Sequence, residues 1–353
     1  MLLFLLQSLA SCQTRVDCAL NGDCVEASCR CDVPWIGETC DKLDILPVDN
    51  QTHPGASVYG WHPNVSSWGG SVVYSSDDSR WHLFASQMRN GGLVGWETES
   101  ECVHAVASTA DGPFNLSDVA VDAECHGPAV VRDPSGEMLM FHQGDTGYLH
   151  HAPSMGGPWT RVEGAPDCGM PSAAFHPNGT LFLVCGNGAR LVRAGEGGWN
   201  AGEWYDVPTV DFNRPSGWED PTLWFDRTGA FHILWHVYNL EPYEAHLERC
   251  SGHSYSRDGL AWRFSGEDEP FDGTLRFVDG SSQALATRER PQLVFADLAN
   301  RTQPIGLTNG VSSQPLGPWC EDCYLGACSQ CKISEGRDWT YTTFVWLRSA
   351  SAR

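Results

Sequence analysis

Positive charge is scarce in this chain. Of its 353 residues, 22 are Lys or Arg against 44 Asp or Glu, a net charge of −22. A nucleic-acid backbone is bound through clustered Lys and Arg that displace counterions, so a polyanionic partner is excluded. A basic, neutral or uncharged polar ligand such as a sugar fits better, although acidic bulk charge is also ordinary in secreted proteins. Long apolar runs are missing as well, and no stretch beyond residue 10 is long enough to span a bilayer. Neither a His-x-x-Glu-His motif nor an Asp-rich calcium loop occurs, so no catalytic metal is assigned.

What the chain does have is an apolar run, a polar tip often carrying Gly, and a second apolar run, five times over. The copies are Gly70–Phe84, Pro128–Phe141, Pro171–Val184, Pro221–Leu234 and Pro291–Leu307, the last with a longer tip. Repetition at roughly 45–70 residues marks a stacked or radial array, and for all-β units a propeller. The 15 Trp and 37 Gly suit twisted, turn-rich sheets better than helices. Most hairpins lead into a further strand-like run ending in a Gly turn and an aromatic, clearest in His253-Ser-Tyr-Ser-Arg-Asp-Gly-Leu-Ala-Trp-Arg-Phe264. A fourth, edge strand completes each blade, which predicts an all-β, five-bladed propeller over residues 55–350. The alternating run Trp339–Leu347 is expected to complete or close the ring and so remove its exposed edges.

The N-terminal part is of another kind. Met1–Ala10 is apolar and ends in small residues like a signal peptide, but lacks a basic start, which suggests truncation; Leu9-Ala-Ser-Cys12 alternatively matches a lipoprotein cleavage box. Residues 11–41 hold Cys12, Cys18, Cys24, Cys29, Cys31 and Cys40, and residues 42–54 form a linker. So small a segment needs staples, and six Cys allow fifteen pairings among which spacing does not choose. The tail Cys29-Arg-Cys31-Asp-Val-Pro-Trp-Ile-Gly-Glu-Thr-Cys40 resembles an epidermal growth factor-like (EGF-like) domain. That resemblance implies the pairs Cys12–Cys24, Cys18–Cys29 and Cys31–Cys40, with a role as rigid spacer or as protein contact. The stretch before Cys12 is apolar where the calcium-binding variant of that family carries acids, so no calcium site is expected in the module.

Fifteen Cys point to an oxidising compartment and a secreted protein. Five sequons, at Asn50, Asn64, Asn115, Asn178 and Asn300, agree with a glycoprotein. Cys102 and Cys125 bracket the connection into blade two, and Cys168 and Cys185 bracket the blade-three hairpin; both pairs are expected as disulfides. Cys320, Cys323, Cys328 and Cys331 are spaced either for a zinc knot or for disulfides. Secretion favours disulfides, the four-residue gap being short for a zinc ribbon. Cys250 joins that group or stays unpaired.

Ser256-Arg-Asp-Gly-Leu-Ala-Trp262, Trp218-Glu-Asp-Pro221 and Glu289-Arg-Pro-Gln-Leu-Val-Phe295 resemble the five-bladed propeller glycosidases, those similar to glycoside hydrolase family 43 and its relatives. The resemblance implies action on a carbohydrate, a structural calcium in the channel, and three acids where the first three inner strands begin. This chain has Trp68-Gly69, His126-Gly127 and Met170-Pro171 there, so none of the three carries over. Acids stand instead at Glu219-Asp220 in blade four and Glu289 beside Arg290 in blade five. Glu219 or Asp220 with Glu289 is the candidate carboxyl pair for glycoside hydrolysis. Trp68, His126, His236, His253, Arg290 and Asn309 are candidate sugar contacts. Each also has a plainer reading: Glu289–Arg290 as an ion pair between blades, Asp220 as a turn cap, the His and Trp as core residues. The function expected is a secreted glycoside hydrolase on an extracellular or cell-wall glycan. The alternative is a non-catalytic carbohydrate-binding propeller displayed by the module. A monomer is expected, with no nucleic acid and no transmembrane segment.

Overall fold

The computed structural model describes residues 12–349 except 63–64, 90–91, 94–95, 123, 145–146, 187–189, 209–210, 213–217, 238–249, 266–267, 298–300 and 314–338. Five four-stranded antiparallel sheets make five blades. Blade one takes Ser66–Ser75, Arg80–Met88, Ser100–Ala107 and Asn115–Val121. Blade two takes His126–Arg132, Met138–Gln143, Gly147–Ala152 and Thr160–Arg161. Blade three takes Pro171–Phe175, Leu181–Cys185, Arg190–Ala194 and Trp204–Asp206. Blade four takes Trp218–Phe225, Phe231–Val237, Ser251–Ser256 and Trp262–Ser265. Blade five takes Thr287–Phe295, Pro304–Ser312 and Tyr341–Trp346, with Ser57–Tyr59 outermost.

The inner strands read as nearly continuous apolar runs because each blade is covered on both faces. Successive side chains of a strand point to opposite faces, and adjacent residues therefore serve different cores. Val73 packs with Val130 and Met140 of blade two, whereas Val72 packs with Val294 and Phe344 of blade five. Val131 joins Leu183 of blade three, Ala174 joins Leu223 of blade four, and Trp224 joins Leu293 of blade five. Hydroxyl side chains next to the axis add a second tie. Ser71 Oγ donates to Pro128 O at 3.1 Å and accepts from Val130 N at 3.0 Å, and Ser172 Oγ accepts from Leu223 N at 2.9 Å. The tips follow from Asp and Gly: Asp226 Oδ1 accepts from Thr228 N and Ala230 N, and Gly229 takes the left-handed φ of 81°.

Ring closure differs from expectation. Tyr341–Trp346 is the third strand of blade five, and the closing strand is Ser57–Tyr59, from before blade one, with Tyr59 opposite Thr342. One blade thus holds both ends of the ring.

The cysteines pair as Cys12–Cys24, Cys18–Cys29, Cys31–Cys40, Cys102–Cys125 and Cys168–Cys185. Cys250 is a buried free thiol, pushed up to about 12 by burial. Cys320, Cys323, Cys328 and Cys331 lie outside the described residues, as do Asn64, Asn300 and Met1–Ala10. Asn50, Asn115 and Asn178 are exposed. Among the described residues no helix is long and apolar enough to cross a membrane.

The disulfide-rich segment is packed onto blade four. Trp35 is buried and stacks on Trp224 at 6.0 Å and on His253 at 5.3 Å. Tyr255 Oη donates to Val16 O at 3.1 Å, and Arg15 bridges Asp23, Asp32 and Asp226. Removing a buried aromatic costs about 3–5 kcal/mol. Trp35→Ala should lower the melting temperature and speed proteolytic cutting in residues 12–43; unchanged cutting would show that the stack does not fix the segment.

Candidate active site

Each inner strand begins with a kink. Gly69, Gly127, Met170, Asp220 and Arg290 occupy one equivalent position, all with left-handed φ between 47° and 63°. Gly70 or a Pro follows in every case. Four of these strands show a register break at the kink, Trp68/Ser71, His126/Ala129, Glu219/Thr222 and Glu289/Gln292. A bulge of this kind re-aims side chains. The equivalent pair in blade three is Gly169-Met170, one residue earlier than the Met170-Pro171 expected. A non-Gly residue at such φ costs of order 1–2 kcal/mol, and blades three, four and five all bear that strain at the channel.

In blades four and five the kink turns Asp220 and Arg290 toward each other, with Arg290 Nη1 3.0 Å from Asp220 Oδ1. The Asp220 side chain is buried, and that of Arg290 keeps 11% exposure. A Cβ on Gly127 would lie 2.3 Å from Arg290 Nη1, and one on Gly69 would lie 3.0 Å from Arg290 Cβ. The arginine therefore lies over blades one and two, in the space that side chains there would fill, and donates from Nη2 to Gln143 Oε1 at 3.3 Å.

His236, opposite Glu219 in register, sits at the centre of the acids. Its Nδ1 is 3.1 Å from Asp220 Oδ2, and its Nε2 is 3.6 Å from Glu219 Oε1 and 3.7 Å from Glu289 Oε2. Burial opposes a charged imidazole, yet Asp220, Glu289 and Glu219 together raise it to about 9. Burial and the neighbouring Asp220 charge push Glu219 up to about 7. For Asp220, burial is outweighed by Arg290 and His236, and its carboxyl is held below the usual range. Glu289 Oε1 accepts from Thr287 Oγ1 at 2.7 Å. Glu219 and Glu289 keep 21% side-chain exposure each, against 5% for Asp220, so these two can meet a ligand.

Other candidates fall elsewhere. Asn309 is buried: its Oδ1 accepts from Arg288 Nε at 2.9 Å and its Nδ2 donates to Glu289 O at 3.2 Å. It props the backbone under Glu289 rather than reaching the channel. His253 belongs to the stack under Trp35 and bonds His232 at 3.0 Å, away from the acids. Trp68 is buried with Met88 and Leu93, its ring against Gly310, and presents no open face for a sugar. His126 is buried against Trp96 at 4.7 Å and held neutral by burial, Arg290 and His142. Gln143, Thr287 and Arg288 were missed. Register offers the signal for Gln143, which faces His126 as His236 faces Glu219.

A structural calcium on the axis does not fit these residues. Glu219, Asp220 and His236 bring donor atoms within 4.8 Å of one another, but a guanidinium already holds the axial space. Both oxygens of Asp220 face Arg290 and His236, so a dication there would add charge beside a cation.

No family model matches the sequence, and no curated protein similar to it was found. The fold is that of five-bladed glycoside hydrolase propellers. A family 117 glycoside hydrolase from the marine bacterium Zobellia galactanivorans is 10% identical with a TM-score of 0.54, over 87% of this chain and 90% of that one. An α-L-arabinofuranosidase from Podospora anserina, solved with cellotriose, is 12% identical with a TM-score of 0.54, over 83% and 95%. A thermostable family 43 glycoside hydrolase is 10% identical with a TM-score of 0.52, over 82% and 92%.

Proposed function

We propose that this protein is a secreted glycoside hydrolase acting on an extracellular or cell-wall glycan, with Glu219 as general acid and Glu289 as general base. The observation that carries the reading is the pairing of two partly exposed carboxyls across His236 Nε2, at 3.6 and 3.7 Å. Their oxygens are no farther apart than the sum of those distances. That is compatible with the retaining spacing of about 5–5.5 Å or the short end of the inverting range, about 6.5–9.5 Å. Glu219, raised to about 7, keeps a proton to give, while Glu289 is fixed by Thr287. Glu219 protonates the glycosidic oxygen as the C–O bond breaks. Water adds to the anomeric carbon and yields its proton to Glu289, or Glu289 attacks that carbon first if the pair sits at the shorter spacing. His236 positions both acids, and Asp220 with Arg290 holds His236 in place. The disulfide-rich segment, EGF-like in spacing and pairing, serves as a fixed element with Val25 and Ile36 on its open side for protein contact.

A second reading is a glycan-binding propeller without turnover. It is favoured by one observation: Arg290 fills the axis, and no acid stands at Gly69, Gly127 or Met170. A glycan array followed by product analysis on each hit separates the two. New reducing ends support the hydrolase, binding without product supports the second reading, and absence of binding overturns both.

A further inference from the structure

The opposite mouth of the channel, lined by hairpin-tip residues of blades two to four and by Arg301 and Thr302 of blade five, holds a cavity of about 1010 Å³. Three arginines line it, Arg132, Arg227 and Arg301, in a chain with a net charge of −22. Arg301 is the unusual one. Among the described residues its Nε is buried without a hydrogen-bond partner, its Nη1 reaches only Ala173 O at 3.4 Å, and its guanidinium lies over Phe295 at 5.0 Å. Among the described residues no carboxylate pairs with it. Burial alone pulls its pKa down to about 10. The residue is partly buried, and a charge partly withdrawn from water with no counter-ion is costly. Among the described residues Arg132 and Arg227 have carboxylates only at 4.0 Å, Asp77 and Asp32. Among the described residues the one acid on the cavity wall, Asp133, is turned to Ser135, Glu137 N and Trp199 Nε1.

We infer that this mouth is a second ligand site, for a small acidic saccharide whose carboxylate or sulfate is taken by Arg301. A guanidinium presents paired N–H donors that match such groups, and Arg132 and Arg227 supply the surrounding positive field. The cavity is large enough for more than a bare anion, and Phe175, Pro177 and Ser135 offer apolar and polar wall for a sugar ring. The site lies at the far end of the channel from Glu219 and does not depend on hydrolysis there.

Calorimetric titration of the full chain with glucuronate, glucose 6-sulfate and neutral glucose tests it. Saturable binding of at least one anionic sugar and none of glucose is expected. Affinity should fall about ten- to a hundredfold in Arg301→Gln and stay unchanged in Arg257→Gln, an exposed arginine outside the cavity. The tighter of the two sugars identifies the group. Should Arg301→Gln not fold, Arg301→Lys keeps the charge but loses the fork and should still weaken binding. No binding of either anion, or equal binding by wild type and the Arg301 variant, overturns the proposal.

Discussion

Glu219→Gln is expected to keep the fold and to lose about 10²–10⁴-fold in turnover, the usual contribution of a positioned general acid. An amide fills the same space but has no proton to give the leaving oxygen. Glu289→Gln should lose as much for the opposite reason, since an amide accepts no proton from water. The pH profile sharpens the assignment. With Glu219 at about 7, the wild-type rate should fall as pH rises through 7, and that limb should vanish in Glu219→Gln. Stability provides the control. A carboxyl whose folded pKa lies above its unfolded value contributes stability that is present below the unfolded pKa and lost as pH rises through the folded one. Glu219→Gln should therefore melt higher than wild type above pH 7 and equally below about pH 4.5. Rates on the responsive glycan and melting curves across pH check both halves. Wild-type turnover in both variants would sink the hydrolase assignment.

Arg290→Leu should be the most destabilising single change at the channel, by about 3–5 kcal/mol, because it leaves a buried carboxylate without its cation. Asp220 keeps His236, but His236 is shared with two further acids. The sign with pH follows from the lowered Asp220 pKa. Its stabilising contribution exists above the unfolded carboxyl pKa and is lost as pH falls through the folded one. The gap between wild type and Arg290→Leu should therefore narrow in acid, as urea denaturation at two pH values would show. Gly127→Ala supplies a coupled test, since its Cβ would meet Arg290 Nη1 at 2.3 Å. In the Arg290→Leu background only the strain of a left-handed alanine remains, so the two losses should not add. Simple additivity would mean that the guanidinium does not occupy the space over blade two.

Much of this is legible in the sequence. The five hairpins carry their own turn chemistry and apolar runs, and local rules of that kind survive into the fold. Glu219, Asp220, His236, Glu289 and Arg290 were legible as a set because a Pro marks the start of the inner strands of blades four and five and His236 lies near the end of the strand beside it. What the sequence could not convey was direction. Asn309 and His253 lie on strands that pass near the channel, but one bonds backward under Glu289 and the other faces the disulfide-rich segment. The glycines of blades one and two looked like missing acids. They are the floor on which Arg290 lies, a relation between residues some 160–220 positions apart that only the closed ring creates. Trp35 was read as part of a spacer, since nothing local says that Trp224 and His253 will stack beneath it.

The three-residue strand Ser57–Tyr59 has a consequence for any shortened version of the chain. A fragment beginning at blade one would keep every inner strand and the whole acid cluster, yet Tyr341–Trp346 would be left with one side unpaired. An open β-edge of six residues recruits strands from other molecules. Such a fragment should therefore be prone to self-association at blade five, with Glu289 and Arg290 in the same sheet as the joint. The few residues ahead of blade one thus act as a stopper against polymerisation.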